Sequence, residues 1–305
     1  MNGRITSCNG SLYQVLTDDG KSFCCRLRGK FRLEDKKENN PIAVGDRVEF
    51  IFEDDIGSIT KILQRDNFIL RKSIKKEWQS QVLASNIDQV LIMATLFEPR
   101  TSMSFIDRVM VSAESFRIPQ LIFINKKDLM EDVHFQEVKT IIDCYDTIGV
   151  PVKLISALDN NLYGDIVPFF QNKTNLIVGL SGVGKSTLMN VLGAEINQKV
   201  GEISKSTNKG IHTTTFAEMF RIQPSTYIID TPGVKEWGLV DMNQQEISDY
   251  FPEMRDRRLN CKYGSKCLHL KEPGCAILMA VNNGEISTIR YKSYLSMVIE
   301  NDNRK

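Results

Sequence analysis

The chain has 305 residues, is 42% hydrophobic and carries a formal net charge of +1. It is long enough for two or three domains with real cores, and the charge balance excludes a protein that coats polyanions over its whole surface. Its seven cysteines are an odd number and mostly lie apart, which excludes a disulfide framework. The opening "MNGRITSCNG" has no basic-then-apolar leader pattern, and apolar runs such as "VLIMATLF" (90–97) are too short for a bilayer. A cytoplasmic chain with no membrane partner is expected. Charge is unevenly placed: residues 1–75 hold 14 Lys and Arg against 11 Asp and Glu, residues 76–249 hold 15 against 21, and residues 250–305 hold 10 against 6. Two basic ends flanking an acidic middle allow contact with nucleic acid at the ends, or three ordinary solvated surfaces.

The first elements are short strands. "GRITSC", "SLYQVLT" and "KSFCCRLRG", the last two joined by "DDG", precede "GDRVEFIF" and "SITKILQ", joined by "EDDIG". About five strands with turn signals predict a small all-β barrel; an OB-fold fits, and so do other small barrels. The polar, basic "RKSIKKEWQSQ" (71–81) reads as a linker. From residue 87 the texture changes. Apolar runs at "QVLIMATL" (89–96), "QLIFINK" (120–126), "PVKLIS" (151–156), "NLIVGL" (175–180) and "TYIID" (226–230) predict buried strands. Helical stretches separate several of them, among them "SFIDRVMVSAESFR" (104–117), with Phe105, Val109 and Phe116 near helical spacing. This alternation predicts a parallel sheet covered on both faces.

The chemistry sits at the ends of these strands. "INKKDLM" (124–130) supplies Asn125, Lys126, Lys127 and Asp128. The Asp128 carboxylate accepts two N–H bonds, which guanine offers from N1 and its exocyclic amine and adenine does not. "ISALD" (155–159) supplies Ser156 and Ala157 for the base oxygen, with Leu158 where such loops usually carry Lys. "GLSGVGKST" follows a strand and opens a helix: Gly179, Leu180, Ser181, Gly182, Val183, Gly184, Lys185, Ser186 and Thr187. Its backbone N–H groups can close around phosphate oxygens, with Lys185 on the β- and γ-phosphates and Ser186 on Mg²⁺. "DTPG" ends the last strand, so Asp230 faces that Mg²⁺ and Gly233 offers its N–H to the γ-phosphate. The base motif precedes the phosphate loop, the reverse of the usual order in a GTPase. In a parallel sheet such loops share one edge whatever their order in the chain, so a circularly permuted chain still assembles one pocket.

The tail holds Cys261, Cys267, His269 and Cys275, spaced C-x5-C-x-H-x5-C. Three thiolates and an imidazole make a closed tetrahedral set for one structural zinc; reduced core cysteines are the alternative. "CAILMAV" and "RYKSYLSMVIE", split by "NNGEIS", predict two helices.

Together "SNIDQVLIMAT", "INKKDL", "GLSGVGKSTLMN", "GIHTTT", "IDTPGVKEWGL" and the "EPGCA…GEIS…RYKSYL" tail resemble the RsgA or YjeQ family of circularly permuted, ribosome-associated GTPases. The resemblance spans nearly the whole chain. It implies an OB-fold at 1–72 that binds RNA, a permuted GTPase domain at 73–240, and a mostly helical zinc domain at 241–305. It also implies hydrolysis of GTP to GDP by a monomer, stimulated by the small ribosomal subunit and its rRNA, late in that subunit's maturation. A nucleotide-gated rRNA scaffold in which hydrolysis is incidental is the alternative. Val234 stands where many GTPases place the Gln that orients water, and Ile211 where the family often has Arg. The family's G-x-H-T-T-T segment then suggests His212 for positioning water and Thr214, with Thr213 close behind, for completing Mg²⁺ coordination. An exposed switch histidine is the alternative for His212. Because DTPG feeds directly into the zinc module, loss of the γ-phosphate is expected to change that module's pose.

Overall fold

A computed structural model describes residues 1–28, 42–53, 55–72, 80–193, 217–231, 237–240 and 242–302. The first five strands are β1 (Asn2–Asn9), β2 (Leu12–Leu16), β3 (Ser22–Leu27), β4 (Arg47–Glu53) and β5 (Ile56–Ile62). They run in the order β1-β2-β3-β5-β4, and β4 returns to pair with β1, which closes the barrel. β3 and β5 are parallel and the other pairs antiparallel. Ile5, Val15, Cys25, Val48, Phe50 and Ile59 alternate inward and fill it. The predicted barrel and its five strands are therefore present.

The stretch at 71–81 is not simply a linker. Its ends belong to β6 (Phe68–Lys72) and β7 (Ser80–Ser85), an antiparallel pair in which Arg71 faces Gln81 and Lys72 faces Ser80. The polar run hides the pairing because the ribbon's buried residues, among them Ile69 and Ala84, lie outside it. The barrel grips this ribbon through the buried Asp46 carboxylate. It accepts from Arg65 Nε and Nη2 at 2.7 and 2.8 Å, Ser85 Oγ at 2.6 Å and the Ala43 N–H at 2.8 Å. Gly45, at φ +94°, makes the approach possible: a Cβ there would lie 2.1 Å from the Ser85 carbonyl oxygen.

The barrel's sheet continues into β8 (Gln89–Ala94), β9 (Gln120–Ile124), β10 (Val152–Leu154), β11 (Thr174–Gly179), β12 (Glu218–Gln223) and β13 (Thr226–Asp230). Their order is β10-β9-β8-β11-β13-β12, parallel except for β12. β8 and β11 are buried along their whole length because helices cover both faces. Around the sheet lie α1 (Met103–Glu114), α2 (Asp132–Asp146), α3 (Leu162–Phe170) and α4 (Lys185–Leu192). From β8 the chain steps outward to β9 and β10, then returns to the other side of β8 as β11. Strand order reverses between β8 and β11, which is where a doubly wound sheet opens a ligand crevice. The antiparallel strand β12 corrects the expectation of an all-parallel sheet. It pairs with the barrel as well, Ser7 of β1 facing Glu218.

In α1, Phe105 and Val109 are buried as expected, but Phe116 lies beyond the helix and packs its ring 4.6 Å from that of Phe68. The tail forms α5 (Ala276–Asn282) and α6 (Thr288–Asp302), as predicted. Its core includes Phe251, Tyr294 and Met297, and takes in Val111 from α1.

Candidate active site

The phosphate loop begins where β11 ends at Gly179 and closes at Gly184, the residue that caps α4. Gly184 has φ +99°, and a Cβ there would lie 2.3 Å from Asn125 Nδ2. Only glycine allows both the turn and the approach. Val183 is fully buried and anchors the loop; Ser181, Gly182 and Ser186 are exposed, and Leu180 and Thr187 half-buried. Lys185 folds back over the loop and donates to the carbonyls of Gly179 at 2.8 Å and Leu180 at 3.0 Å. Burial lowers its pKa, and the Asp230 carboxylate opposes that shift.

Asn125, at the end of β9, joins three loops. Its Nδ2 donates to the Val183 carbonyl in the phosphate loop at 2.8 Å, and its Oδ1 accepts the Ala157 N–H at 2.9 Å. Lys126 is left-handed at φ +69° and donates through Nζ to the Glu98 carbonyl. The Lys127 N–H donates to the Ile155 carbonyl at 3.0 Å. Asp128 is exposed and accepts from Ser156 Oγ, whose oxygen also accepts the Leu158 N–H at 3.3 Å. The loops after β9, β10 and β11, separated along the chain, thus meet at one sheet edge. Asp128 keeps acceptor capacity at the surface for a ring with paired N–H donors.

Asp230 ends β13, and its Oδ1 is buried with no hydrogen-bond partner among the described residues. Burial raises its pKa to about 6; Lys185 pulls it down and Glu218 pushes it up. A buried, unsatisfied carboxylate oxygen beside the phosphate loop suits a cation. Thr231 Oγ1 donates to the Ile177 carbonyl at 2.8 Å and pins the turn that follows. His212, Thr213, Thr214, Gly233 and Val234 lie outside the described residues. Glu218 lies on β12, a strand absent from the sequence expectations, whose signal is the alternation of "EMFRIQ" before the "PST" turn.

The four tail ligands come together as well. Cys261, Cys267, His269 and Cys275 are all buried, with their ligand atoms within 4.8 Å of one another. Cys261 and Cys275 sulfurs are 3.8 Å apart, and His269 Nδ1 lies 3.6 and 3.3 Å from them. A zinc tetrahedron with bonds of about 2.3 Å to sulfur and about 2.0–2.1 Å to nitrogen has edges of about 3.8 and 3.6 Å, so the set fits. Burial lowers His269 to about 4, which leaves the imidazole neutral, the form that binds metal. Glu272 shapes the turn by accepting N–H bonds from Leu268, Leu270 and Lys271 at 2.7, 2.7 and 2.9 Å.

A family model described as RsgA GTPase matches residues 62–240, and one described as the RsgA N-terminal domain matches residues 2–59. The chain belongs to the RsgA GTPase family. The small ribosomal subunit biogenesis GTPase RsgA of Bacteroides fragilis is 44% identical over 306 residues, covering 100% of this chain and 98% of that protein. Its namesake from Christiangramia forsetii is 43% identical over 302 residues, covering 98% and 96%. Among solved structures, YjeQ from Thermotoga maritima is 31% identical with a TM-score of 0.79, covering 100% of this chain and 99% of that one. YloQ, described as a circularly permuted GTPase, is 31% identical with a TM-score of 0.75 and covers 100% and 96%. The RsgA GTPase match contains β8 to β13, and so all three loops joined by Asn125. The zinc-compatible cluster lies beyond that match but within the part of this chain that aligns with the Bacteroides fragilis relative.

Proposed function

We propose that this RsgA family member is a cytoplasmic GTP hydrolase that the small ribosomal subunit stimulates, acting as a nucleotide-switched factor late in that subunit's maturation. The observation that carries the reading is the Asn125 side chain, which ties the guanine-reading loop to the phosphate loop. The names of the relatives support the ribosomal part. Asp128 reads the base edge, with Ser156 and Ala157 beside it. Lys185 leaves its carbonyl contacts for the β- and γ-phosphates, and backbone N–H groups of residues 182–187 surround them. Ser186 and Thr214 hold Mg²⁺, with Asp230 facing it, and His212 positions water once a partner orders its loop. The ion supplies charge neutralisation on the phosphates. One structural zinc on Cys261, Cys267, His269 and Cys275 closes the tail. The domains divide at 1–72, 73–240 and 241–305, and the basic ends grip rRNA, so binding weakens as salt rises. GTP turnover measured with and without purified small subunits tests this: a large stimulation, with ATP a poor competitor, is expected. Equal turnover in both conditions would refute it.

A further inference from the structure

Glu218 occupies a position that strand pairing ordinarily avoids. It lies directly opposite Asp230 across the β12–β13 pair. Like charges facing each other on paired strands are destabilising. The alternation of both strands sets where the two carboxylates point. Met219 and Ile229 pack into one core, while Phe220, Ile222 and Ile228 pack into the other, with Val183, Leu188, Met189 and Leu192 of the phosphate loop and α4. Glu218 precedes Phe220 by two residues, and Asp230 follows Ile228 by two. Both therefore lie on the face that α4 covers, the face of Lys185 and Ser186. The Glu218 backbone is held on both sides, facing Asp230 of β13 and Ser7 of the barrel strand β1. The charges of Glu218 and Lys185 both act on the Asp230 carboxylate beside the phosphate loop, and Asp230 Oδ1 is buried with no hydrogen-bond partner among the described residues.

We propose that Glu218 is a positioning residue for the divalent cation that accompanies the nucleotide. It is a fixed second negative charge behind Asp230, which draws Mg²⁺ to the site and opposes a polyphosphate that arrives without it. This rests on Asp230 facing Mg²⁺ as proposed above. Glu218 needs no direct bond to the ion; the charge acts through space, in a site partly shielded from water.

The test is binding of a fluorescent GDP analogue to the full chain, first in chelator and then with Mg²⁺ titrated in. In Glu218→Gln the Mg²⁺ concentration giving the half-maximal effect rises about three- to tenfold. Affinity for the nucleotide in chelator stays equal or becomes tighter. Glu218→Asp, which keeps the charge, restores a midpoint near that of the wild type. A weakened Mg²⁺ response without weakened binding in chelator separates a charge effect from simple damage, which weakens both. Superimposable Mg²⁺ titrations, or weakening in chelator and in Mg²⁺ alike, overturn the proposal. Should Glu218→Gln not fold, a Glu218→Asp midpoint shifted as far as that of Asp230→Asn overturns it too. If the wild-type chain itself shows no Mg²⁺-dependent guanine-nucleotide binding, the functional reading fails instead.

Discussion

Asn125 uses both ends of one amide to hold two loops, and this makes it the most exposed point of the site to mutation. Asn125→Ala leaves the Val183 carbonyl and the Ala157 N–H without their partner inside a buried junction. Loss of about 2 kcal/mol of stability is expected, with a larger loss of nucleotide affinity because the loops separate. Denaturant unfolding and GDP titration of the variant check both. At this scale chemistry and motif order point to Asn125, Asp128, Ser156, Lys185 and Asp230, residues that lie at or just beyond the ends of the parallel strands. The partners of each group are not legible in the sequence, because a hydrogen bond between residues 58 positions apart has no local signature. His212 belongs here too. His212→Ala is expected to abolish subunit-stimulated turnover while leaving GDP affinity unchanged, and stimulated turnover at the wild-type rate would end that assignment.

Among elements, α1 does the most unexpected work. One side packs on the sheet through Phe105, Ile106, Val109 and Met110; the other carries Asp107 and Val111 into the tail. Arg290 of α6 is buried there. It donates to Asp107 through Nη1, and to Glu253 through Nε and Nη2 at 2.8 and 3.2 Å, with its guanidinium 4.5 Å from the centre of the Phe251 ring. Trp237 Nε1, beyond the DTPG turn, donates to Ser112 Oγ of the same helix at 2.9 Å. A change of pose of the zinc module against α1 would break this cluster, so a nucleotide-driven motion has to carry α1 with it. Arg290→Met leaves two carboxylates buried without their cation and is expected to cost about 3–5 kcal/mol. Asp107→Asn in the same chain should recover part of that in chemical denaturation. The spacing of Phe105 and Val109 points to the helix but not to its second buried face, since a pairing of Asp107 with Arg290, 183 positions away, has no local signature. β12 is hard to read for a related reason: it is short and mostly half-buried, so its alternation is weak.

At the scale of the whole molecule, three units share one continuous frame. The barrel joins the nucleotide sheet through Ser7 and Glu218, and through Arg4, whose guanidinium lies 5.0 Å from the Tyr227 ring centre. The tail joins it through α1. If the proposed zinc is bound, a strong chelator should therefore loosen residues 261–275 and the core around Tyr294 first, while guanine-nucleotide binding survives. Calorimetry is expected to show a separate, lower transition, whereas an unchanged melt would argue against a metal in the cluster. The permuted order was legible in the sequence because motif order can be read off a chain. That the loops converge depends on β8, β9 and β11 lying side by side, which only the fold shows. The most direct test of that convergence is hydrolysis by Asp128→Asn of GTP against xanthosine triphosphate. Xanthine offers a carbonyl where guanine offers its amine, so the variant amide pairs with xanthine and not with guanine. A switch to xanthosine triphosphate, abolished by adding Lys185→Ala, is the predicted result. Retained preference for GTP in Asp128→Asn would contradict a single pocket built from these loops.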